Sequence, residues 1–89
     1  MNFLNTLIKG QMDKIIIPWK EPKDGMPEKS GKLVNEQIPC IVILDRVIRI
    51  LQWNCEHGCW DDEDGDDYMC DAKEVDYYFP LSEIQTPQP

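Results

Sequence analysis

Eighty-nine residues, 42 % of them apolar, carry 17 acidic side chains against 9 Lys and Arg for a formal charge of -8, which specifies one small globular domain with a thin core. The length excludes a second domain. The charge argues against direct binding to a phosphate backbone or an anionic membrane surface, since both need clustered Lys and Arg.

In chain order, Phe3, Leu4, Leu7 and Ile8 recur at helical spacing up to Gly10, predicting a short N-terminal helix. Residues 1–11 read as an appendage to a single domain over 12–83. The opening residues show no basic leader, long apolar core or small-residue cleavage site, so a cytoplasmic location is expected. No stretch approaches the roughly 20 apolar residues that span a bilayer, and no membrane partner is expected. Ile15-Ile16-Ile17 predicts a first strand. From Pro18 to Pro39, four prolines and two glycines interrupt charged residues, predicting a long loop with Trp19 as its anchor.

Ile41-Val42-Ile43-Leu44 is β-branched and apolar on both faces, the pattern of a central strand, and Val47 to Trp53 is its partner across a tight turn at Asp45-Arg46. Asn54 to Gly58 reads as a turn, Gly58-Cys59-Trp60 as a third short strand, and the acidic segment around Gly65 as another turn. Val75 to Phe79 is a final strand stopped by Pro80, and residues 84–89 form an extended tail. The expected fold is mainly β: a small antiparallel meander of three to four strands with a long Pro/Gly-rich loop. Trp53 and Trp60 belong to its core, and Trp53, Trp60, Tyr77 and Phe79 supply cross-strand packing.

Several landmarks then fall in a familiar order: Trp19, Asp24, Met26-Pro27-Glu28, Gly31, the apolar strand through Val42 and Leu44, Trp60-Asp61-Asp62, and Val75-Asp76-Tyr77-Tyr78-Phe79-Pro80-Leu81-Ser82-Glu83. Over residues 15–87 the chain resembles the domain-of-unknown-function family number 551, found widely in phage and prophage genomes. This chain has Tyr77-Tyr78-Phe79 where that family usually has His-Trp-Met, and Ser82 where it usually has Pro. The resemblance implies a fold and a phage or prophage origin; the family has no established activity to carry over.

Charge patterning supplies the functional expectation. Residues 61–76 hold nine of the 17 acids and one base, Lys73, so this segment carries -8 while the rest balances eight acids against eight bases. Asp61, Asp62, Glu63, Asp64, Asp66 and Asp67, with Tyr78 as an aromatic contact, are the predicted binding residues for a basic surface on a host or phage protein. Nucleic-acid mimicry is one version of that reading; a solvated tip that keeps a sheet edge from aggregating is the plain alternative. Placing Gly65 at the sixth position of a calcium loop puts Trp60 first and Asp71 twelfth, so the essential ends are missing.

Cys55, His57, Cys59 and Cys70 offer three sulfurs and an imidazole, the donor set of a structural zinc, and a zinc-stapled module is the second expectation. Set against it, Cys40, Cys59 and Cys70 read as small buried hydrophobes with His57 exposed in a turn; a disulfide through Cys59 or Cys70 is the third reading. With one His, no nucleophile elbow and no phosphate-cradling loop, no enzymatic activity is expected. No resident cofactor is required, and the molecule is read as a monomer or homodimer.

Overall fold

The computed structural model describes residues 16–28 and 36–85. The predicted helix at 3–8, residues 29–35 of the long loop and residues 86–89 of the tail lie outside the described residues. The described chain is mainly β. Five strands, β1 (Gln37–Leu44), β2 (Val47–Asn54), β3 (Cys59–Asp61), β4 (Tyr68–Asp71) and β5 (Tyr77–Pro80), form one antiparallel sheet in the order β4-β3-β2-β1-β5. The first four are a meander. The fifth crosses back to pair with β1, in the manner of a Greek key, so the sheet has one strand more than expected and its last strand leaves the meander order.

The β1–β2 hairpin follows from its β-branched run, and its register sets Leu44 opposite Val47 across a two-residue turn. Asp45 and Arg46 both take positive φ, 52° and 67°, the backbone of the primed turn that matches strand twist. Neither is glycine, so each costs about 1 kcal/mol in that region; pairing on both sides of the turn overrides the missing Asn-Gly.

The strand expected at residues 15–17 does not form over its described part. Ile16 and Ile17 belong to no strand, and Ile16 is 80 % exposed. Pro18 has no N–H to give a ladder and restricts the residue before it, and the Trp19 N–H turns back to the Ile17 carbonyl at 2.9 Å. The chain meets the sheet only at Lys20, which exchanges two 2.9 Å backbone hydrogen bonds with Tyr78 along the outer edge of β5. Beyond a 3-10 turn at Pro22–Asp24, the Tyr78 hydroxyl donates to the Gly25 carbonyl at 2.6 Å. The loop is therefore pinned by Tyr78. Trp19, its predicted anchor, is half-buried with its ring 6.4 Å from Tyr77.

Alternation along β1 puts Ile38, Cys40, Val42 and Leu44 on one face. Across the sheet, Ile38 lies opposite Trp53, Trp53 opposite Trp60, and Trp60 opposite Cys70; Val42 lies opposite Tyr78. These residues with Leu51 and Val75 are the core. In a flat sheet β3 and β5 would stand about 14 Å apart, three interstrand spacings. Yet the Trp60 and Tyr78 rings are 5.9 Å apart, and Trp60 meets Trp53 edge-on at 5.0 Å. The sheet curls, and Trp60, 0 % exposed, fills the concave side. Its indole N–H donates to the Ala72 carbonyl at 3.2 Å, tying the 3-10 turn at Ala72–Glu74 under the core before β5 begins. Among the described residues no helix is long and apolar enough to cross a membrane.

Candidate functional site

The acidic turn runs from the end of β3 to the start of β4. Met69 is an extra residue on β4, since Asp61 pairs with Tyr68 while the adjacent Trp60 pairs with Cys70; such a bulge bends the ribbon at the base of the turn. The turn itself is closed by backbone: Asp62 N–H to the Asp67 carbonyl at 2.8 Å and Gly65 N–H to the Asp62 carbonyl at 2.9 Å. Asp62 adds one side-chain bond, Oδ1 accepting from the Asp66 N–H at 3.0 Å. Gly65 has φ 77°, which favours glycine, and a Cβ there would lie 2.7 Å from Gln37 Oε1 and displace that side chain.

Two neutral side chains hold this turn against the sheet. Gln37 of β1 donates from Nε2 to the Gly65 carbonyl at 2.9 Å and to Asp61 Oδ2 at 2.8 Å, and Gln52 of β2 donates to the Glu63 carbonyl at 3.0 Å. Among the described residues no Lys or Arg takes part. Among the described residues the ion pairs are Lys23 with Glu21 and His57 with Glu56, each at 3.9 Å, and neither reaches the turn. Glu63, Asp64, Asp66 and Asp67 are exposed and Asp62 is half-buried, so the predicted charge surface is present at these five positions.

Two predicted binding residues are elsewhere. Asp61 is 6 % exposed, the one buried charged residue of the described chain; it accepts from Gln37 Nε2 and from Asn54 Nδ2 at 2.9 Å, which makes it a strut of the turn and removes it from the surface. Tyr78 is 3 % exposed in the core, opposite Val42 of β1 and with its ring 5.9 Å from that of Trp60, so it cannot serve as the exposed aromatic. That place belongs to Tyr68, 59 % exposed at the foot of the turn and donating its hydroxyl to Asp71 Oδ1. This hydrogen bond first, then partial desolvation and the charges of Asp71 and Glu74, push its phenol up to about 12. Reading Tyr68 to Asp71 as a strand is the signal that would have found it.

The cysteine and histidine set is spread out. Cys55 is half-buried at the margin of the core, and His57 is exposed in the β2–β3 turn beside Asn54, whose Oδ1 accepts the Glu56 and His57 N–H groups at 3.0 and 2.9 Å. Cys59 is half-buried with its thiol 3.8 Å from Asp61 Oδ1, and burial, then Asp61 and Asp71, raise its pKa. Cys70 is buried; desolvation above all pushes it up to about 11, and the same cause takes Cys40 up to about 12. None of the four cysteines is in a disulfide. Among the described residues no three His, Cys, Asp or Glu side chains stand together as a cation site.

No protein-family model, no curated protein and no solved structure matches the chain.

Proposed function

We propose that this chain is a non-catalytic protein-binding module of phage or prophage type, acting in the cytoplasm, whose acidic turn engages a basic surface on a host or phage protein. One observation carries the reading: Asp62, Glu63, Asp64, Asp66 and Asp67 project from a turn fixed by backbone and by two glutamines, with no cation among the described residues neutralising them. Preorganised charge of one sign raises encounter rates and rejects acidic partners. Tyr68 at its foot supplies an amphipathic contact that desolvates at low entropic cost. Mimicry of a nucleic-acid backbone is one version of this reading.

Affinity capture from a host lysate tests this, with the wild-type protein and the variant Asp62→Asn, Asp64→Asn, Asp66→Asn, Asp67→Asn as baits at low and high salt. A protein retained by the wild type, lost with the variant and released by salt is the expected result. Identical captures on both baits would reduce the turn to a solubilising tip.

A further inference from the structure

A second recognition site shares no lining residue with the acidic turn. The loop 19–28, the start of β1 and the residues just after β5 line a half-open groove of about 660 Å³, within the roughly 300–1,000 Å³ of ligand clefts. Among the described residues its apolar lining includes Trp19, Met26, Ile38, Tyr78 and Pro80, and its charged lining is the four carboxylates Asp24, Glu28, Glu36 and Glu83 with one lysine, Lys20. The walls are fixed in place: Lys20 is paired with Tyr78 through two backbone hydrogen bonds, and the Tyr78 hydroxyl holds the Gly25 carbonyl.

Such a lining rejects phosphates and carboxylates and leaves a purely apolar ligand with an unmatched polar rim. It suits a cation carried on an aliphatic stem, the stem covering apolar wall and the head meeting carboxylates. The guanidinium suits it better than an ammonium, because it bonds carboxylates in bidentate fashion and stacks on an indole such as the half-buried Trp19. Burial above all, then Cys40, Glu83 and Asp24, raises the pKa of the Tyr78 phenol in the wall.

We infer that this groove binds an arginine side chain presented by an extended segment of a partner protein, with Asp24, Glu28 and Glu83 receiving the guanidinium and Trp19 covering its stem. None of residues 62–67 lines the site, and it does not depend on the function proposed for them.

Titration of the full-length, nitrogen-15-labelled protein with the capped peptide acetyl-Gly-Ala-Arg-Ala-Gly-amide, followed by NMR, reads it out. Shifts are expected at the Trp19 indole N–H, Ser82 and Glu83. The same peptide with citrulline, which keeps the shape and loses the charge, should bind about ten-fold more weakly, the worth of one charge-assisted hydrogen bond. Asp24→Asn with Glu83→Gln, both exposed positions, should weaken binding similarly, and the four-Asn turn variant should leave it unchanged. Equal binding of the citrulline peptide, shifts confined to residues 62–67, the same groove shifts at equal affinity with spermidine, or no groove shifts up to the peptide's solubility limit would overturn the assignment.

Discussion

Trp60→Ala is expected to lower the melting temperature by about 15–30 °C. The side chain is 0 % exposed and touches rings from β2 and β5, 5.0 and 5.9 Å away, and a cavity of that size costs about 3–5 kcal/mol. A domain this small has roughly 5–10 kcal/mol in all, and each kcal/mol is worth about 4–8 °C. Trp60→Phe separates two contributions: it keeps an aromatic ring in the concavity and loses the 3.2 Å hydrogen bond to Ala72, so its cost should be smaller, about 1–2 kcal/mol. Thermal and urea unfolding followed by circular dichroism measure both. A loss below about 1 kcal/mol for the alanine variant would mean that the sheet does not close over this residue.

The second large effect is at Asp61. Removing its carboxylate by Asp61→Ala leaves the Asn54 amide without its 2.9 Å acceptor and Gln37 with only the Gly65 carbonyl, at about 2–3 kcal/mol in total. Asp61→Asn keeps one acceptor oxygen but turns an NH2 toward donors, and should cost about half as much. Because Gln37 and Asn54 brace the turns on both sides of β3, amide hydrogen exchange at Asp66, His57 and Gly58 should quicken in the alanine variant well before global unfolding. Wild-type stability and unchanged exchange would show that the buried carboxylate is idle.

The contrast between Asp61 and its neighbours explains what could be read without coordinates. Residues 61–67 look alike in composition, and only the pairing of Gln52 with Asp61 and the approach of Gln37 from β1 across β2, 24 positions away, separate a structural carboxylate from exposed ones. The β1–β2 hairpin and the short strand at Cys59–Trp60 were legible because β-branched and aromatic residues state their preference locally. β4 was hidden by its acidic surroundings, and its bulge at Met69 breaks the alternation that would betray it. β5 was legible as a strand but not in its place, since pairing with β1 is a long-range choice made by Val42 meeting Tyr78 and Cys40 meeting Pro80. The same choice buries Tyr78, leaves Tyr77 40 % exposed beside Trp19, and builds the groove, for which the sequence held no contiguous motif.

The central claim is that the charges of the turn's carboxylates serve recognition and contribute nothing to folding. Thermal melts of the wild type and of the four-Asn variant at low and high salt test it most directly. Asn keeps the Oδ1 acceptor that Asp62 offers to Asp66, so only charge is removed, and relief of like-charge repulsion is worth on the order of 1 kcal/mol. The account predicts that the variant melts about 4–8 °C higher at low salt and that the gap closes as salt screens the wild type. A variant that melts lower than the wild type at low salt would show that the charges build the fold, and would contradict the account.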